Sequence, residues 1–251
     1  MTAAPQVLVV IPARHASVRF PGKPLAEIAG RPMIQHVVDR ARQASTPTRI
    51  VIATDDERIV QAAKAFGAEA ILTRGDHRTG TDRVAEVAVH IEADIYVNVQ
   101  GDEPLVDPGT IDAVAGALIE DEQVNIATPI SAITHKNDIV DPNVVKAVLD
   151  FDGNALYFSR APVPWVRDSA SHVVARHWKH IGIYGFRRPT LLEFPTLPPG
   201  ELEHIEQLEQ LRWLENGFRI RAVETQYDAV SVDVPSDVER VEKIIREGAA
   251  S

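Results

Sequence analysis

The sequence predicts an α/β fold, three layers built around a mainly parallel sheet, with a strand-rich lobe inserted at about residues 125–190. Short, nearly continuous apolar runs at 7–11, 50–53 and 95–99 have the composition of strands covered on both faces. Between them lie segments with apolar residues at helical spacing, so strand and helix alternate as βαβ units require. From Val124 the alternation gives way to apolar runs joined by Pro-rich connections rather than helices.

Taken in order, the first strand at 7–11 leads into a loop carrying Arg14, Arg19 and Lys23. Ile34, Val37, Val38 and Ala41 then share one helix face, with Asp39, Arg40 and Arg42 between them. After the strand at 50–53, Asp55 or Asp56 caps a helix bearing Ile59, Val60, Ala63 and Phe66, which Gly67 ends. Residues 70–72 form a short third strand. Thr81 or Asp82 caps a helix with Val84, Val87, Ala88 and Ile91 on one face, and the strand at 95–99, interrupted by Asn98, ends at Gln100-Gly101-Asp102.

In the second half, strands are expected at 125–133, 144–149, 155–158 and 180–186, and the turn Asp152-Gly153-Asn154 makes 144–158 a hairpin. A single helix over about 203–215 ends at Asn216-Gly217, a strand follows at 220–224, and the last helix opens with a capping-box pattern from Ser236 to Glu239. Neither repeats nor low-complexity linkers divide the chain, so residues 1–251 are expected to form one domain.

Twenty-six basic against 36 acidic residues give a formal charge of −10, which disfavours nucleic acid and anionic membranes as partners and leaves an anionic substrate to a local basic pocket. The absence of cysteine excludes disulfides, thiolate metal sites and a catalytic thiol. With no charged-then-apolar leader and no apolar run long enough to span a bilayer, a cytoplasmic location is expected.

The loop after the first strand lies where open α/β sheets bind ligands, and three cations in ten residues suit a nucleoside triphosphate. Its glycine does not fit the familiar phosphate loops: Pro24 follows Gly22-Lys23, and no GxGxxG is present. Phosphates are therefore expected to be held by side chains, Arg14 bridging two oxygens, Lys23 acting as a point charge, and Arg19 as a weaker third. Asp102 and Asp233, each at the end of an expected strand, can hold a hard divalent cation, although turn-forming aspartates account equally for either alone. Thr79, Gly80 and Thr81 at a helix N-terminus suit anion or base-edge contacts, and capping explains the threonines about as well.

At about 100° per residue, Glu209 falls on the apolar stripe between Ile205 and Trp213, so it needs either a basic partner or a cavity with hydroxyl donors. Gln210 beside it can both donate and accept. His180 and Tyr184 share a face of one strand, with Gly182 between them leaving room for a ligand; singly, each also reads as a core residue with its polar end satisfied.

PAR at 12–14, RFPGKPL at 19–25, HRTGTDR at 77–83, NVQGDEPL at 98–105, ALYFSRAPVPW at 155–165, HIGIYGFR at 180–187, LEHIEQLEQLR at 202–212 and VDVPSDVERV at 232–241 resemble, nearly end to end, the cytidylyltransferases that activate bacterial sugar acids. The pattern is most similar to the 3-deoxy-manno-octulosonate cytidylyltransferase (CMP-KDO synthetase) family. The resemblance implies a Rossmann-like nucleotidyltransferase fold. It implies transfer of CMP from CTP to the anomeric hydroxyl of 3-deoxy-manno-octulosonate (KDO), with release of pyrophosphate, for lipopolysaccharide biosynthesis.

It also implies Mg2+ on Asp102 and Asp233, cytidine contacts at residues 79–81, and substrate contacts from Gln100, His180, Tyr184, Glu209 and Gln210. The sequence departs from the family's frequent GVDTP, reading Ser231-Val232-Asp233-Val234-Pro235. Alternatives are a CMP-sialate synthetase, a cytidylyltransferase for an amino-substituted KDO, and a non-catalytic nucleotide-sensing module, which would not need both aspartates. Sugar-1-phosphate nucleotidylyltransferases carry a glycine-rich loop after the first strand that this chain lacks. The family is commonly dimeric. Apolar residues of the Pro-stiffened segment at 161–166, with Trp178, need a cover that either an isologous homodimer or packing beneath the Gly182 strand supplies.

Overall fold

The computed structural model describes residues 4–16, 19–167 and 176–248. The first half contains β1 (Val7–Ala13), the two-residue strands β2 (Glu27–Ile28) and β3 (Arg31–Pro32), α1 (Met33–Ala41), β4 (Arg49–Thr54), α2 (Glu57–Ala65), β5 (Glu69–Leu72), α3 (Gly80–His90), β6 (Ile95–Asn98) and α4 (Pro108–Glu120). There follow β7 (Ile126–Ala132), α5 (Lys136–Val140), β8 (Lys146–Leu149), β9 (Ala155–Ser159), β10 (Trp178–His180), β11 (Tyr184–Arg187), α6 (Arg188–Glu193), α7 (Glu201–Glu206), α8 (Gln210–Glu215), β12 (Arg221–Glu224) and α9 (Ser236–Gly248).

β1 lies between β4 and β6, parallel to both, and β5 extends the parallel half. The unbroken apolar run of β1 follows from this central place. Val7, Val9 and Ile11 enter a core with Val37 of α1, Ile59 of α2 and Val114 of α4, while Leu8 and Val10 enter the opposite core with Val84 of α3, Leu191 of α6 and Trp213 of α8. A strand covered on both faces has no polar side to show, and helices over both faces make the three layers.

Asp56 caps α2 by accepting from the Arg58 N–H, as expected. The cap of α3 is Thr79 rather than Thr81 or Asp82; Asp82 is instead the third helical residue and closes a reciprocal capping box with Thr79. α4 falls in a stretch for which no element was expected. Its signal is nonetheless local: Asp107 caps it, Pro108 takes the first turn, and Ile111, Val114, Ala115 and Leu118 form the buried face. The β8–β9 hairpin forms, with a register shift between Val148 and Leu149 and Gly153 at φ +79°. The lobe also contains the helices α5 and α6, so its connections are not loops alone.

Two expected elements are broken. The strand expected at 180–186 is divided into β10 and β11. Ala127 of β7 pairs with both Gly185 and Arg221, and Ile130 with both His180 and Glu224. A strand has two edges, so β10 and β11 run along one edge of β7 and β12 takes the other. At the interruption the Thr128 hydroxyl donates to the Ile183 carbonyl at 2.8 Å and lies 2.9 Å from His180 Nε2. The helix expected over 203–215 is α7 and α8, separated at Gln207, which has φ +53°.

Candidate active site

A cleft of about 320 Å³ opens where β1 and β6 end, with Arg14, Lys23, Arg78, Gly80, Gln100 and Asp102 among its lining. Gly101 makes the two strand exits close: a Cβ on it would stand 2.7 Å from the Pro12 carbonyl oxygen, a backbone atom that cannot yield as a flexible side chain would. Arg14 continues β1 and donates from Nη2 to the carbonyls of His77 at 2.6 Å and Thr79 at 3.1 Å. Its charge meets carbonyls rather than a carboxylate at these contacts. Gly22, at φ +73°, turns the chain into a short 3₁₀ segment at Lys23–Leu25, which places Lys23 in the cleft.

The Lys23 ammonium lies 2.6 Å from Asp102, 3.0 Å from the Val232 carbonyl and 3.8 Å from Asp233. The two expected metal-binding carboxylates therefore share one cation, although more than a hundred residues separate them. Asp233 is not at a strand end; it lies in a coil segment joined to the β6 exit when the Val232 N–H donates to the Asp102 carbonyl at 2.9 Å. Asp237, in the first turn of α9, accepts from the N–H groups of Asp233 at 2.8 Å and Val234 at 3.0 Å, so that helix holds the segment. Among the described residues no group of three or more His, Asp or Glu side chains forms a metal cluster. Arg19 does not line the cleft: its side chain is 67% exposed and pairs with Asp233 at 2.8 Å.

Thr79 takes the capping role, whereas the hydroxyl of Thr81 takes neither of the roles expected of residues 79–81. The Thr79 hydroxyl serves the capping box and also faces Glu209, to which the Thr81 hydroxyl donates. Gly80 faces the cleft by backbone alone, above Pro12 and Asn98. Glu209 precedes the first turn of α8 instead of lying on the stripe of a long helix, because the break at Gln207 turns Ile205 out to 66% exposure. Its partner is a hydroxyl, not a cation. Burial raises the Glu209 carboxyl pKa, an effect that bonding to Thr81 and Thr79 opposes. Gln210 is buried, and its Nε2 has no hydrogen-bond partner among the described residues.

His180 and Tyr184 come together as expected, although from two strands, with ring centroids 5.5 Å apart. Burial pushes the His180 imidazole down to about 3, so it is neutral near pH 7; burial and then the Glu209 charge push the Tyr184 phenol well up. Gln100 donates to the Gly182 carbonyl at 3.0 Å, tying the cleft floor to the interruption between β10 and β11. The reading of His180 as a core residue with its polar end satisfied is met, since the ring is buried and Nε2 bonds to Thr128.

Three residues at or beside the site had not been singled out. Asn98 is buried with Oδ1 unpartnered among the described residues, and its signal was a polar residue within an apolar strand. Arg78 lines both this cleft and a neighbouring one with Glu209, and its signal was its place in HRTGTDR at 77–83. Glu103 is buried beside Asp102, and burial with that neighbouring charge pushes its carboxyl up to about 8.

The sequence model of the family described as Cytidylyltransferase matches residues 8–222. A protein of Solibacter usitatus named 3-deoxy-manno-octulosonate cytidylyltransferase is 52% identical over 241 residues, 96% of this chain and 95% of its own. One of the same name from Geobacter metallireducens is 50% identical over 250 residues, 96% of this chain and 98% of its own. Among solved structures, CMP:2-keto-3-deoxy-manno-octonic acid synthetase complexed with CTP superposes with a TM-score of 0.92 at 42% identity, covering 97% of this chain and 99% of that one. A putative glucose-1-phosphate thymidylyltransferase of Bacillus anthracis, 15% identical with a TM-score of 0.68, covers 96% of this chain and 95% of its own and shares the fold.

Proposed function

The chain belongs to the cytidylyltransferase family, within it to the 3-deoxy-manno-octulosonate cytidylyltransferases, and we propose how its residues carry out the reaction. It transfers CMP from CTP to KDO, giving CMP-KDO and pyrophosphate. The anomeric hydroxyl oxygen attacks the α-phosphorus in line; its bond to phosphorus forms as the bond to the pyrophosphate oxygen breaks, and the hydroxyl proton is released to water. With no cysteine and no GxSxG elbow, direct displacement is preferred to a covalent enzyme intermediate.

The observation that supports this reading most is that Arg14, Lys23 and Asp102 line one cleft, with Lys23 paired to Asp102 and, at 3.8 Å, to Asp233. Arg14, oriented by two carbonyls, binds the triphosphate, and Lys23 compensates the leaving pyrophosphate. Asp102 and Asp233 would hold Mg2+, a cation that takes one or two carboxylates and keeps its other positions for phosphate oxygens and water. When bound, Mg2+ supplies charge compensation along the triphosphate. Glu209, Gln210, His180 and Tyr184 receive the sugar acid, and the unpartnered Gln210 amide offers the donor that a polyol oxygen needs. Pyrophosphate release from CTP and Mg2+ is expected with KDO. Release with a sialic acid and none with KDO overturns the assignment of the acceptor.

The reaction serves lipopolysaccharide biosynthesis in the cytoplasm, where its nucleotide substrate is made. Among the described residues no helix is long and apolar enough to cross a membrane. The protein acts as a homodimer joined through the lobe, a reading supported by Trp165 at 78% exposure and Leu156 at 60%, whereas Trp178 is partly buried against the core. Light scattering at micromolar concentration is expected to give twice the 27.6 kDa chain mass for wild type and a single chain for Trp165→Arg. A monomeric wild type refutes the dimer.

A further inference from the structure

The corner between α7 and α8 is fastened to the end of β9 by a set of charged contacts that the reaction itself does not use. Gln207 holds a left-handed conformation unusual for a residue with a side chain, so its surroundings must over-determine it. The corner exposes carbonyls at the end of a helix, where intrahelical partners run out. The Arg160 side chain supplies donors: Nε to the Glu206 carbonyl at 2.8 Å and Nη2 toward the Gln207 carbonyl at 3.4 Å. In return the Glu206 carboxylate accepts from the Ser159 hydroxyl at 2.6 Å and the Arg160 N–H at 3.0 Å.

The other side of this junction is rigid as well. Lys146 is fully buried, and its ammonium donates to the carbonyls of Arg160 at 2.6 Å, Val144 at 2.6 Å and Asp141 at 2.8 Å. Among the described residues it has no direct carboxylate contact; burial lowers its pKa, and the charge of Asp141, then that of Glu206, opposes this. Glu206 therefore does two things at once: it closes the chain end of β9 and it offsets two cations in a partly desolvated place. The chain then passes through buried Leu208, whose N–H donates to the Glu203 carbonyl at 3.2 Å, directly into Glu209 and Gln210.

We propose that Glu206 is a positioning residue for the sugar acid: by latching the α7–α8 corner to β9 it fixes Glu209 and Gln210 in register with Thr81 and the nucleotide cleft. This rests on the reading that Glu209 and Gln210 contact the sugar. A merely structural carboxylate would lower melting temperature without separating the two substrates. A positioning carboxylate separates them, because the corner feeds the sugar residues while Arg14 and Lys23 stand on other elements.

The test is steady-state kinetics with KDO and CTP varied in turn, at a temperature where circular dichroism shows each variant folded. Glu206→Ala is expected to raise KM for KDO about 10-fold or more, the equivalent of losing one hydrogen bond to a charged group, with KM for CTP unchanged. Glu206→Gln, whose amide oxygen can keep the Arg160 N–H while its NH2 donates to the Ser159 hydroxyl, is expected to restore most of that loss. If Glu206→Ala does not fold, Ser159→Ala, which removes the shortest of the bonds that the carboxylate accepts, carries the same expectation at about 3-fold.

An unchanged KM for KDO in the folded variant, or equal rises for both substrates, overturns the proposal. Gln210→Ala, assayed in parallel, separates the two levels of inference. A raised KM for KDO there with none in Glu206→Ala defeats the latch alone. No change in Gln210→Ala defeats the sugar-site reading and the latch with it.

Discussion

Asp102→Asn is expected to lower kcat about 1,000-fold, a loss of about 4 kcal/mol of transition-state stabilisation, with Mg2+ saturating. The substitution keeps the size of the side chain and an accepting oxygen, but removes the charge that a hard cation requires. Its structural cost is small. The Asp102 side chain is 30% exposed, its pair with Lys23 is of the partly solvated kind worth about 1 kcal/mol or less, and Lys23 retains the Val232 carbonyl at 3.0 Å. The melting temperature should therefore stay within a few degrees of wild type by the usual relation for a domain of this size. Near-normal turnover in a folded Asp102→Asn protein would sink the metal-binding role and, with it, the mechanism in which cation and carboxylates divide the charge of the triphosphate.

Lys23→Ala is expected to raise KM for CTP about 10- to 100-fold while KM for KDO changes less than about 3-fold, because one charge-assisted contact is worth about 1.5–3 kcal/mol. The reason for the asymmetry is placement. Lys23 lines the cleft with Arg14 and Gly80, whereas Glu209 and Gln210 reach the site from α8 on the opposite face of the sheet. The substitution also leaves Asp102 and Asp233 without their shared cation, so their mutual repulsion rises when neither Mg2+ nor CTP is present. Added Mg2+ should therefore stabilise the Lys23→Ala protein against heat more than it stabilises wild type. Equal increases in KM for the two substrates would count against a division of the site into phosphate and sugar regions.

The sequence by itself determined the parts of this protein whose physics is local. The doubly covered strand β1 reads from its unbroken apolar run, the α2 cap from the pair Asp55-Asp56, and the β8–β9 reversal from Gly153. Even α4, for which no element was expected, had a local signature in Asp107-Pro108 and its four apolar positions. Arg14, Lys23 and Asp102 could be brought to one cleft because the exits of parallel neighbouring strands lie side by side.

Only the tertiary structure decided the breaks and the pairings. Helical periodicity placed Glu209 on a stripe with Ile205, but Arg160 and Glu206, from elements far apart in sequence, hold a left-handed Gln207 that ends the helix first. The strand through His180 and Tyr184 is interrupted where Thr128 of a neighbouring strand bonds to it, a contact no period-two pattern encodes. Asp233 read as a strand end and proved to be coil, held by Asp237 and by a backbone bond from Val232 to Asp102. Propensity and periodicity report the neighbours a residue has along the chain; a buried carboxylate or a turned backbone is decided by the partner that satisfies it, and that partner is chosen by the fold.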